Sequence, residues 1–73
     1  MAKKSHESVY KIVEVIGTSP NSWEEAAKNA VQAASKSLRN LRIAEVLKQD
    51  MAIENGKVVA YRTRVLLSFK YQA

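Results

Sequence analysis

Arg62, Arg64 and Lys70 fall at even positions in a segment whose odd positions, Tyr61, Thr63, Val65, Leu67 and Phe69, are mostly apolar. In an extended chain such residues share one face. A guanidinium can fork onto an anion or lie flat on an aromatic ring, so this face suits a small anionic or aromatic ligand. The chain carries 12 Lys and Arg against 7 Asp and Glu, a net charge of +5 that favours anionic partners in general. Nothing in it points to catalysis. There is no cysteine, and the single histidine, His6, lies in a polar N-terminal stretch. G-x-S-x-G and glycine-rich phosphate loops are both missing. The chain therefore reads as a non-enzymatic binding protein, without disulfides or thiolate metal sites.

The elements that must position these residues are few. Seventy-three residues make one small domain, and a core of that size needs outside support, for which oligomerisation is the remaining candidate. Residues 1–8 read as a flexible tail and 9–73 as a single domain. No run of 18 apolar residues and no secretory signal is present, which makes a cytoplasmic protein without membrane contact the expectation. Val9 to Ile16 is rich in β-branched residues and predicts a strand, with the cluster Gly17 to Ser22 as the turn that ends it. Ser22-Trp23-Glu24-Glu25 fits a capping box. The helix it opens is expected to run to about Arg39, with Asn40 as a left-handed stop. Its apolar stripe, Trp23, Ala27, Ala30, Val31, Ala34, Leu38 and Leu41, is mostly alanine, so a neighbour must approach closely.

Leu41 to Glu54 and Lys57 to Tyr71 predict two long strands around the hairpin signal Asn55-Gly56. The expected fold is α+β: a β-α-β-β protomer with a three-stranded antiparallel sheet wrapped around one helix. A two-residue turn makes Glu54 pair with Lys57 and fixes the register outward from there. Gln49 then opposes Arg62, Leu47 opposes Arg64, Glu45 opposes Leu66 and Ile43 opposes Ser68, and Glu45 lies diagonal to Arg64 at ion-pair range. A bulge in the long second strand would shift this pairing. The face away from the helix mixes Leu41, Ile43, Leu47, Met51, Ile53, Val58 and Leu66 with Arg62, Arg64 and Gln49. That mixture fits a subunit interface with an anion-tolerant pocket.

Four segments carry a family likeness: Val9 to Glu14, Gly17-Thr18-Ser19-Pro20 running into Ser22 to Ala27, Asn40 to Val46, and Tyr61 to Lys70. In these the chain resembles the dodecin family. The resemblance spans residues 9 to 71. It implies a hollow, spherical homododecamer that stores or sequesters a flavin (riboflavin, FMN or lumichrome) without turning it over. It further implies flavin rings stacked on a tryptophan contributed across a two-fold axis, with a glutamine on the last strand bonded to the ring edge.

At both places this sequence departs from the family. The stacking tryptophan is replaced by Ile43 and the glutamine by Arg62, which places the chain in a branch lacking the flavin-stacking tryptophan. Ile43 and Arg62, with Gln49 and Arg42 beside them, are the candidate ligand-contacting residues. Trp23, in the first helical turn, reads as a packing residue. Losing the aromatic stack weakens flavin binding by about tenfold to a hundredfold. The resemblance also brings in coenzyme A and calcium as ligands, although no loop here has the spacing to supply the 6–8 oxygens calcium takes. A pure scaffold shell is the reading without a ligand. A basic nucleic-acid-binding module is the reading from a different class. Against it, Tyr61, Phe69 and Tyr71 alternate onto the helix side, whereas a stacking platform needs exposed aromatics.

Overall fold

The computed structural model describes residues 8–71. Strand β1 (Tyr10–Ser19) is followed by helix α1 (Trp23–Ser35) and then by the hairpin strands β2 (Leu41–Glu54) and β3 (Lys57–Lys70). The sheet is antiparallel throughout, in the order β1-β3-β2, so the last strand in sequence is the central one. This is the expected β-α-β-β order. The proposed tail lies almost wholly outside the described residues.

Asn55 and Gly56 both take left-handed backbone, with φ 51° and 75°, as a two-residue hairpin turn of the right twist demands. Asn40 is left-handed as well, at φ 62°. The helix, however, stops at Ser35 with Lys36 as its cap, and Asn40 instead redirects the chain into β2. At the N-terminus the Ser22 hydroxyl accepts the Glu25 amide at 3.0 Å, which is half of the capping box. The Glu25 carboxylate turns elsewhere: it accepts from the Ser19 hydroxyl and from Asn21 Nδ2, the latter at 2.7 Å.

The first strand corrects the sequence expectation. Gly17, Thr18 and Ser19 are strand, not turn, and pair with Thr63, Arg62 and Tyr61. Gly17 is needed for proximity. A Cβ there would stand 1.9 Å from the Ala26 carbonyl oxygen and 2.9 Å from Ala30 Cβ. The helix thus lies directly on β1 through Ala26 and Ala30, both buried. Val65 and Leu67 of β3 complete the core, with Val13, Val15, Ala27, Val31, Ala34 and Leu41 packed around it. The alanine stripe and its close neighbour are explained together, although the most buried line is centred one residue earlier than the periodicity placed it.

The long hairpin is not straight in register. Shifts occur between Leu41 and Ile43, Val46 and Lys48, and Ala52 and Ile53. Each skips a residue (Arg42, Leu47 and, on the facing strand, Val59), as bulges do where long strands must bend and twist. Helix α1 covers β1 and β3 but scarcely reaches β2. Apart from Leu41 and Ala52, every β2 residue is exposed.

Candidate functional site

The bulges at Val59 and Leu47 together decide which side chains meet: the first shifts the turn-set pairing by one residue and the second restores it. Glu45 still opposes Leu66 and Ile43 still opposes Ser68, as the turn predicts. Between the two bulges, Lys48 opposes Arg64, Gln49 opposes Thr63 and Asp50 opposes Arg62. Gln49 therefore does not pair with Arg62. It faces the helix side, across from the buried Thr63, and Met51 and Leu41 move to that side with it.

Arg62 is held by a residue that periodicity alone did not select. Its Nε and Nη2 donate to the two oxygens of Asp50 at 2.7 and 2.9 Å, a forked pair. Arg62 holds the Asp50 carboxyl below its ordinary range, and Asp50 raises the Arg62 value in turn. Arg64 forms its ion pair with Glu14 of β1 at 3.3 Å, not with Glu45. Pairing β1 against β3 sets Glu14 opposite Leu66, diagonal to Arg64. The two arginines of the outer sheet face are thus each met by a carboxylate. An anion-attracting pocket, as the sequence suggested, is largely neutralised from within.

Trp23 is a packing residue, as expected. Its indole nitrogen donates to the Asp50 carbonyl at 2.9 Å, and its ring meets Tyr61 edge-on at 5.0 Å. The hydroxyl of the fully buried Thr63 donates to the Trp23 carbonyl at 2.8 Å. These contacts tie the start of the helix to both hairpin strands and leave Trp23 no freedom to stack on a ligand.

Ile43 is 63% exposed on the outer face. It sits opposite Ser68, six residues along β3 from Arg62, or about 20 Å at strand spacing. Arg42, in the first bulge, lines a cavity of about 160 Å³ with Val31, Leu41, Ile43, Ala44 and Leu67. That is below the usual size of a small-molecule pocket. Of the four candidate residues, the structure brings together Ile43 and Arg42, while Arg62 and Gln49 lie farther down the hairpin on opposite faces. Among the described residues no three His, Cys, Asp or Glu converge to hold a metal ion. No helix of the described residues is long and apolar enough to cross a membrane.

Apolar exposure is the other feature of this surface. Ile12 and Ile16 on β1, Ile43, Leu47, Met51 and Ile53 on β2, and Val58 and Val59 on β3 are all substantially open. Ile12, Ile16 and Ile43 share the outer face with the neutralised arginine pairs, and Met51 continues the exposure on the opposite face of the hairpin.

Comparison with known proteins places the chain. The sequence profile of the dodecin family matches residues 9–72. The calcium dodecin of Mycobacterium tuberculosis is 49% identical over 63 residues, covering 86% of this chain and 89% of that protein. The crystal structure of the same protein, described as a calcium-chelating antigen with a novel calcium-binding site, superimposes with a TM-score of 0.79 at 50% identity, covering 89% and 93% of the two chains. The dodecin of Streptomyces coelicolor superimposes with a TM-score of 0.86 at 36% identity, covering 92% of this chain and 96% of its own.

Proposed function

This chain belongs to the dodecin family, and on that premise we propose that it is a non-catalytic homododecameric shell that takes a small ligand at contacts between protomers. The observation that supports this is the open apolar surface of the hairpin. A protomer whose core is little more than Ala26, Ala30, Val65 and Leu67 exposes Ile43, Leu47, Met51, Ile53 and Val58 to water. Patches of that extent belong to interfaces. The separation of Ile43 from Arg62 points the same way, since a ligand using both must lie between protomers.

By family resemblance the ligand is a flavin, namely riboflavin, FMN or lumichrome. The residues of one protomer do not complete a flavin site. Ile43 supplies an apolar wall without aromatic stacking, and the Arg62 fork is occupied by Asp50. Flavin binding here is accordingly weak. Calcium is the second reading, favoured by the identity to a calcium dodecin. Because no acidic cluster forms among the described residues of one protomer, a calcium ion would be shared by carboxylates of several. Coenzyme A finds no residue set in the described chain that selects it.

Native mass spectrometry of the purified protein tests the proposal. Twelve copies of 8.2 kDa give a particle of about 98 kDa. Added mass equal to a flavin or to calcium ions names the cargo. A bare particle of that mass leaves a scaffold shell, and a monomer or dimer refutes the assembly.

A further inference from the structure

Among the described residues the net positive charge is concentrated rather than spread. Lys11 opens β1, Lys36 and Arg39 lie in the connection after the helix, Arg42 occupies the first bulge of β2, and Lys70 closes β3. The topology draws these segments to one end of the molecule. Lys11 opposes Phe69, which opposes Leu41, and the Lys70 amide donates to the Asn40 carbonyl at 3.1 Å. No carboxylate lies in residues 8–12, 36–43 or 68–71. The other five Lys and Arg of residues 8–71 are outnumbered by the six Asp and Glu there. The excess charge of the described chain therefore sits entirely at this end. Neither ion pair found among the described residues uses any of the five. The carbonyl end of the helix offsets part of the charge of Lys36 and Arg39, worth about half an elementary charge.

Two aromatic rings share this end. Tyr10, paired with Lys70, is 47% exposed, and Tyr71, whose amide donates to the Val9 carbonyl, is 44% exposed. Lys11 Nζ stands 5.0 Å from the Tyr71 ring centre. Tyr71 was expected to turn onto the helix side and be covered. The helix ends too early for that, at Ser35. Unpaired cations beside open aromatic rings are what a strand of unpaired nucleotides requires, with phosphates on the cations and bases on the rings. The cations come from four separate segments rather than one amphipathic helix face, which is the form a membrane-surface site takes.

We propose that this basic end is a binding surface for single-stranded nucleic acid, held through the phosphodiester backbone with sequence-tolerant stacking on Tyr71. The site borders the Ile43 face of the shell reading through Arg42, but does not rest on that reading.

Fluorescence anisotropy of a labelled 20-mer of deoxythymidine with the full-length protein tests it. Four phosphate contacts give a slope of log K against log salt of about −2.8, a loss of about 50-fold between 50 and 200 mM salt. Lys11→Gln and Arg39→Gln should each flatten the slope by about 0.7, with Arg39→Lys restoring it. Tyr71→Ala should weaken binding by about tenfold at an unchanged slope. Lys57→Gln at the hairpin tip removes the same charge and should leave the affinity within about twofold. Equal losses for Lys57→Gln and Arg39→Gln would overturn the local site in favour of net charge alone. Absence of binding at 50 mM salt would overturn it outright. Tighter binding to phosphatidylserine vesicles than to the oligonucleotide would overturn the choice of partner.

Discussion

Replacing Gly17 by alanine should destabilise this protein far more than one methyl group suggests. The added Cβ would stand 1.9 Å from the Ala26 carbonyl oxygen, with the Ala30 backbone nitrogen and Cβ both at 2.9 Å. Two of those three atoms are backbone, so no rotamer change relieves the overlap. The helix must retreat by roughly 1 Å to reach even a tight contact. That retreat lifts Ala30 from Val65 and Leu67 and pulls Trp23 away from Thr63 and Asp50. Overpacking of side chains costs about 1–3 kcal/mol, and a backbone overlap belongs at the upper end. The lost chain entropy of glycine returns about 0.4–1 kcal/mol in the other direction. A net loss of about 2 kcal/mol remains, or about 8–16 °C in Tm for a domain of this size. Thermal unfolding followed by circular dichroism at one fixed protomer concentration measures it, since assembly makes Tm concentration-dependent. Gly56→Ala is the control. Gly56 has open space around it but φ 75°, so only backbone strain acts there, about 1–2 kcal/mol. If Gly17→Ala melts within 2 °C of the wild type, the close helix–strand contact does not hold the fold and the reasoning fails.

Thr63→Val keeps the shape of a fully buried side chain but removes its hydrogen bond to the Trp23 carbonyl, which should cost about 1 kcal/mol in denaturant unfolding. Glu25 is held below its ordinary value, first by the Ser19 hydroxyl and then by Asn21. A lowered folded-state value contributes stability that is complete above the unfolded-state value and is lost as pH falls through the folded one. Glu25→Gln should therefore flatten the acid-side fall of Tm below about pH 4, and an unchanged profile would remove Glu25 from the account. Ile43→Trp restores an aromatic surface on the outer face and should raise FMN affinity at least about tenfold by fluorescence quenching. No change would mean that Ile43 does not border the ligand.

The element order, the Asn55-Gly56 turn and the alternating faces of β3 were legible because each rests on local chemistry: a left-handed dipeptide, a period of two, a run of β-branched residues. Gly17 was misread because a glycine beside Ser, Pro and Asn has two explanations, backbone freedom and lack of a side chain. Only the position of the helix separates them. The helix end was overestimated by about four residues for a related reason. The apolar spacing continues through Leu38, but Leu38 follows the last helical turn, its amide donating to the Ala34 carbonyl at 2.9 Å. The pairing of Glu54 with Lys57 was legible, but the register of residues 48–52 was not. Bulges at Arg42, Leu47 and Val59 answer the bending of the whole hairpin, and no residue type marks them.

The unmarked bulge at Val59 changes the chemistry of the candidate site. With uninterrupted pairing, Arg62 would oppose the neutral Gln49 and Arg64 the apolar Leu47, leaving two free guanidinium groups on the outer face. The extra residue instead brings Asp50 to Arg62, and the β1 register brings Glu14 to Arg64. A ligand entering between outer faces meets an apolar surface broken by satisfied ion pairs, which selects for flat, weakly charged molecules over polyanions. The unmatched charge stands at the other end of the strands, beside Lys11, Arg39 and Arg42. The composition that suggested one anion-binding pocket thus resolves into two surfaces, an apolar one whose arginines are internally paired and a basic one whose cations are free. A property of the first, such as affinity for the uncharged lumichrome, should respond little to salt, while a property of the second should fall steeply with it.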